Sequence, residues 1–166
     1  MTPFHYQDHR LHAESVRLAD IAEAVGTPVY VYSSAALQDA YRSYTDAFAG
    51  LPVTICYAVK ANDSLAVLRL LGAEGAGADV VSLGELELRY ALAAGIPAKR
   101  IVFSGVGKTR EELAFALAEG VMQINVEVAS ELDALSQIAS ALSKTAQVAI
   151  RINPDVDAGT IAQIST

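Results

Sequence analysis

Short apolar runs alternating with amphipathic stretches predict an α/β fold built on a parallel sheet. Apolar, β-branched runs recur near 53–59, 78–82, 101–104, 122–126 and 147–152, which is the composition of buried strands. Between them, stretches near 64–73, 83–94, 109–119 and 129–142 carry apolar residues at helical spacing. The turns between them are short and the period is roughly 20 to 25 residues, so neighbouring strands run parallel through right-handed crossovers. Continuous apolar strands such as Val148-Ala149-Ile150 fit a sheet covered on both faces. An open doubly wound sheet and part of a (β/α)8 barrel both satisfy this rhythm. The units do not repeat in sequence, so the period belongs to the architecture and not to a solenoid.

The 166 residues suffice for one domain with a core. A hydrophobic content of 52% and a mean hydropathy of +0.32 are high, yet no apolar run reaches the roughly 18 residues of a membrane span. The opening Met1-Thr2-Pro3-Phe4-His5-Tyr6-Gln7-Asp8 lacks the basic and apolar regions of a signal peptide. The single cysteine, Cys56, excludes an intramolecular disulfide framework and fits a reducing cytoplasm. A net charge of −7 argues against nucleic acid or an anionic membrane as the main partner.

In chain order, Phe4-His5-Tyr6 and Leu11-His12-Ala13 suggest two short strands turning between Gln7 and Arg10. His5, His9 and His12 are expected to be hairpin or surface residues, because a zinc site wants ligand spacing on a defined scaffold and a fourth ligand. Leu18 to Val25 has helical spacing and is stopped by Gly26, with Pro28 beyond. Val29-Tyr30-Val31-Tyr32 is expected to be a strand, and Ser33-Ser34 to cap a helix over about 35–48. Val53-Thr54-Ile55-Cys56-Tyr57 then forms a buried strand that ends on Lys60. Asn62-Asp63-Ser64 turns the chain into the next helix. A lysine at this junction either extends its ammonium into water or is buried, which lowers its pKa and frees the amine to attack a carbonyl.

In both layouts, sites gather at the C-terminal ends of the strands. The candidates are therefore Lys60 and Asn62; Asp79 and Ser82; Ser104, Gly105 and Gly107; Asn125 and Glu127; and Arg151, Asn153, Asp155 and Asp157. Two glycine-rich stretches do not match phosphate loops. Gly75-Ala76-Gly77 lacks the third glycine of the dinucleotide pattern and precedes a strand. Gly105-Val106-Gly107-Lys108-Thr109 would need a glycine where Val102 stands to be a P-loop. The aspartates of the last loop lack EF-hand spacing. Glu85 sits where a first-turn acid is favoured by the helix dipole.

Tyr57-Ala58-Val59-Lys60-Ala61-Asn62 resembles the signature of the fold-type III decarboxylases that use pyridoxal phosphate. Gly77 to Leu86 resembles that family's segment after the lysine strand, and Ile101 to Thr109, Asn125-Val126-Glu127 and especially Ile150 to Thr160 resemble its diaminopimelate decarboxylase branch. The resemblance selects the barrel. It implies an incomplete (β/α)8 TIM-type barrel of about five strand–helix units over residues 31–166, with residues 1–30 belonging to a second, β-rich domain. It further implies that Lys60 carries pyridoxal 5'-phosphate, that Asp79 lies close to that linkage, and that Arg151 lies beside the cofactor. Leu83 replaces a glycine of the family pattern, and Ile161, Ala162 and Gln163 depart from its continuation.

The implied activity is decarboxylation of meso-2,6-diaminopimelate to L-lysine by a cytoplasmic homodimer acting on a small amino acid. The alternatives are an ornithine- or arginine-type decarboxylase and a non-catalytic homologue that pairs with a full-length subunit. With five strands and no closing partners, the chain is expected to be a fragment, inactive by itself.

Overall fold

A computed structural model describes residues 2–81 and 84–152. The central sheet has five parallel strands: β4 (Cys56–Ala58), β5 (Gly77–Val80), β6 (Ile101–Phe103), β7 (Gln123–Val126) and β8 (Val148–Ile150). Before them come β1 (Phe4–Gln7), β2 (Arg10–Ala13) and β3 (Val16–Arg17), which form a separate antiparallel sheet. Two helices, α1 (Leu18–Val25) and α2 (Ser34–Ala47), lead into the larger sheet. Each crossover then carries one helix: α3 (Leu65–Ala73), α4 (Gly84–Ala93), α5 (Arg110–Glu119) and α6 (Ala129–Ala141).

The strand order is sequential, β4-β5-β6-β7-β8, and α2 to α6 pack each against the next. A doubly wound sheet reverses its strand order at a switch point and puts helices on both faces. Neither feature is present among the described residues, so the barrel layout is the one observed.

The alternation of each strand divides its residues between two faces. Ala78, Val80, Ile101, Phe103, Ile124 and Val126 join Leu68, Leu88, Leu113, Leu117 and Leu135 in one core beneath the helices. Burying each large aliphatic or aromatic side chain there contributes about 1.5–3 kcal/mol. The opposite face carries half-buried Asp79, Val102, Gln123 and Asn125. Val148 and Ile150 on β8 remain 43% and 70% exposed. Coverage of both faces, expected from the apolar runs, is therefore not met among the described residues.

Local signals account for the boundaries. The Ser33 hydroxyl caps α2 by accepting from the Ala36 N–H. In α5, Thr109 and Glu112 form a reciprocal capping box, and Gly120 ends the helix at φ 75°. β4 starts at Cys56 because its partner β5 starts at Gly77, directly opposite; Val53 and Thr54 have no ladder to join and are exposed. Gly77 is there for space: a β-carbon on it would clash with the Arg100 carbonyl oxygen.

The N-terminal hairpin forms as expected, turning through Asp8 and His9, both with positive φ. His5 and His12 are cross-strand partners with stacked rings 5.8 Å apart. The two-residue β3 was too short to show as a pattern. Val29–Tyr32, expected as a strand, is not one. The segment has β composition but no partner among the described residues, and Tyr30 is 88% exposed. Glu14 joins the two parts of the chain. Its carboxylate accepts from the Ser33 hydroxyl, the Ser34 hydroxyl and the Ala35 N–H at 2.8, 3.1 and 2.9 Å, at the start of α2.

Candidate active site

Because the five strands are parallel, their C-terminal ends form one rim, and among the described residues several of the polar groups expected there gather on it. Lys60 lies in a single 3-10 turn, Val59–Ala61, immediately after β4. Val59 is the fully buried anchor of that turn and Lys60 is exposed, so of the two expectations for this lysine the water-facing one is met. The Tyr57 hydroxyl donates to the Asn62 carbonyl at 3.3 Å, tying the turn back to the strand. Asn62 itself accepts from the Ser64 N–H, so its side chain is used in shaping the entry to α3.

Asp79 is the register partner of Ala58 on the neighbouring strand, which brings its carboxylate to the rim beside the Lys60 turn. It starts a chain of hydrogen bonds across the sheet. The Ser104 hydroxyl donates to Asp79 Oδ1 at 2.6 Å and accepts from Asn125 Nδ2 at 2.9 Å. Asn125 Oδ1 in turn accepts from Gln123 Nε2 at 2.7 Å. All donors point the same way, so the chain polarises toward the carboxylate. Burial, and then the nearby Asp79 charge, push the Cys56 thiol up from its ordinary pKa. Burial likewise raises the Tyr57 phenol.

A second arm surrounds the end of β7. The Arg151 N–H donates to the Val126 carbonyl, and its guanidinium reaches both oxygens of Glu127 at 3.3 Å. Glu127 also accepts from the Gly105 N–H at 3.2 Å. The Glu127 side chain is 9% exposed and that of Arg151 59%, so a held carboxylate presents a cation to the open face. Glu85 pairs with Arg89 one turn along α4, in keeping with a helix-surface role.

Of the candidates read from the sequence, Asp79, Ser104, Gly105, Asn125, Glu127 and Arg151 join these two arms. Ser82, Leu83, Asn153, Asp155 and Asp157, and the departures at Ile161, Ala162 and Gln163, lie outside the described residues. Gln123, Lys108 and Glu131 were missed. Gln123 precedes Asn125 by two positions in an otherwise apolar strand, a same-face signal that was available. Lys108 was weighed only as a phosphate-loop lysine.

The chemistry of the donor set fits pyridoxal phosphate: an accessible amine for its aldehyde, a carboxylate near that amine, and a guanidinium for an anionic oxygen.

Residues 34–166 match the family model for the pyridoxal-binding domain of pyridoxal-dependent decarboxylases. The diaminopimelate decarboxylase of Pseudomonas aeruginosa is 53% identical over 166 residues, covering 100% of this chain and 40% of that protein. Among solved structures, the diaminopimelate decarboxylase of M. jannaschii in complex with L-lysine superposes with a TM-score of 0.89 at 38% identity, covering 99% of this chain and 39% of that one. The Helicobacter pylori enzyme complexed with L-lysine gives a TM-score of 0.84 at 43% identity, over 90% and 37% of the two chains. The chain thus spans about two-fifths of the length of the relatives it matches.

Proposed function

The chain belongs to the pyridoxal-dependent decarboxylases, and from that premise we propose that it forms the cofactor-binding part of an enzyme converting meso-2,6-diaminopimelate to L-lysine. The observation that carries this is Lys60, an exposed amine at the end of the first barrel strand with a carboxylate on the adjacent strand. The lysine bound in two related structures supports the product.

Lys60 would hold pyridoxal 5'-phosphate through its amine, Arg151 through an anionic oxygen, with Asp79 close to the attachment. When bound, the cofactor supplies the electron sink that lets a carbon–carboxylate bond break. The chain's own residues hold and orient. Lys60 would carry the amine that the substrate's amine displaces, and its Nζ would hold the proton exchanged at the reacting carbon. The Gln123–Asn125–Ser104 chain fixes the Asp79 carboxylate, and Glu127 fixes the Arg151 guanidinium, so neither needs to reorganise.

In the same proposal, residues 1–30 form part of a second, β-rich domain and residues 31–166 form part of the barrel. The whole protein is a cytoplasmic homodimer that acts on a small amino acid.

Borohydride reduction of the full-length protein loaded with pyridoxal phosphate, followed by peptide mapping, tests the assignment. The expected result is a label on Lys60. A label on Lys99, Lys108 or Lys144 instead would overturn it.

A further inference from the structure

Among the described ion-paired residues, Lys108 is the most completely enclosed cation, its side chain 2% exposed and that of its partner Glu131 7%. Its ammonium donates three hydrogen bonds, to the Gly105 carbonyl at 2.6 Å, the Asn125 carbonyl at 2.7 Å and Glu131 Oε1 at 2.8 Å. The Phe103 ring lies 5.5 Å away. The second oxygen of Glu131 accepts from the Glu127 N–H at 2.8 Å. A single buried pair therefore holds the backbone of Gly105, Asn125 and Glu127, which belong to two different strand ends.

Those three residues are the roots of both arms. The Asn125 side chain supports Ser104 and, through it, Asp79. The Glu127 side chain holds Arg151 and takes the Gly105 N–H. The hydrogen bonds of Lys108 and Glu131 go to Gly105, Asn125, Glu127 and each other, so the pair reaches Arg151 and Asp79 through those residues. For stability alone, two apolar residues of similar volume would serve this space as well, because desolvating both charges offsets much of their attraction. What an apolar pair cannot supply is two directed bonds to backbone carbonyl oxygens and one from a backbone N–H.

We propose that Lys108 and Glu131 are positioning residues that set the attitude of Arg151 and of the Asp79 arm toward the cofactor. This rests on the function proposed above. It concerns residues outside the matched lysine motif.

The test uses the full-length protein and the double variant Lys108→Met/Glu131→Met, which leaves no orphan charge. Thermal melting reports folding, borohydride labelling reports attachment at Lys60, and fluorescence titration reports affinity for pyridoxal phosphate. The variant should melt within a few degrees of wild type and still label on Lys60. It should bind the cofactor more weakly, on the order of tenfold to a hundredfold. Placed on an Arg151→Ala background, the double change should weaken binding less than it does alone, because the part of its effect that runs through Arg151 is already lost.

Unchanged affinity, or losses that simply add, would overturn the proposal. Should the double variant fail to fold, Glu131→Gln takes its place. It keeps the volume and the bond from Lys108 but removes the acceptor for the Glu127 N–H, and the same two outcomes decide. Failure of the underlying function is separately visible, since wild type would then not label on Lys60.

Discussion

Gly105 and Gly107 sit two residues apart in one loop and both have positive φ, +96° and +71°. A β-carbon on Gly105 would meet the Val81 carbonyl oxygen at 2.9 Å and Val81 Cγ1 at 3.0 Å, whereas one on Gly107 would meet nothing within 4 Å. Alanine at either site carries the left-handed backbone cost, roughly 1–2 kcal/mol. It recovers about 0.4–1 kcal/mol through the stiffer unfolded chain. Only at Gly105 must strand β5's exit also move, an overpacking cost of about 1–3 kcal/mol. Gly107→Ala should therefore lose about 1 kcal/mol and Gly105→Ala about 3 kcal/mol. Equilibrium urea unfolding followed by circular dichroism measures both. Gly105 also donates to Glu127 and accepts from Lys108, so its variant should bind pyridoxal phosphate more weakly as well. Equal stability losses at the two glycines would refute the steric argument.

Two further outcomes are expected. Arg151→Ala should leave stability within about 1 kcal/mol of wild type, because its guanidinium is largely exposed and Glu127 keeps the Gly105 N–H, while turnover of the full-length enzyme falls about a hundredfold. Asp79→Ala deprives the Ser104 hydroxyl of its acceptor and should cost about 1–3 kcal/mol, again with a larger loss of turnover. Activity that falls only in step with folded protein would make both residues structural. The second outcome concerns acid. The Ala35 N–H and then the Ser33 and Ser34 hydroxyls hold Glu14 below the ordinary 4.5, and the Arg42 guanidinium chiefly does so for Glu74. A depressed folded value means a contribution complete above the unfolded value and lost as pH falls through the folded one. Both carboxylates grip α2, through its first turn and through Gln38 and Arg42. As pH falls below about 4.5 and on through the lower folded values, hydrogen-exchange protection in α2 should therefore drop before that of α5. Loss in the reverse order would contradict this.

The strand–helix rhythm was readable because each element buries an apolar stripe of its own period, and the observed boundaries of β5 to β8 and α3 to α6 fall within a few residues of those expected. Val29–Tyr32 shows where that logic fails. Strand composition describes a side-chain surface, but a strand exists only if another backbone supplies its ladder, and the sequence does not say which. The start of β4 was misplaced for the same reason, since Gly77 decides it from twenty-one residues away. At the site, looking just past each apolar run found Asp79, Ser104, Asn125, Glu127 and Arg151. It missed Lys108 and Glu131 because their roles arise from a contact between residues 23 apart, one in a loop and the other a first-turn acid on a helix. Each looks ordinary in its own neighbourhood.

Strand β7 has a consequence for how this protein can vary over generations. Ile124 and Val126 face the helices and are 1% and 3% exposed, whereas Gln123 and Asn125 face the open side. One base change can thus alter the chemistry of the rim without disturbing a core residue. A neighbouring codon does the reverse. Inherited novelty and inherited stability are written in alternating letters of the same four-residue word, so a lineage can vary the open face one odd-numbered position at a time while the even ones keep the chain foldable.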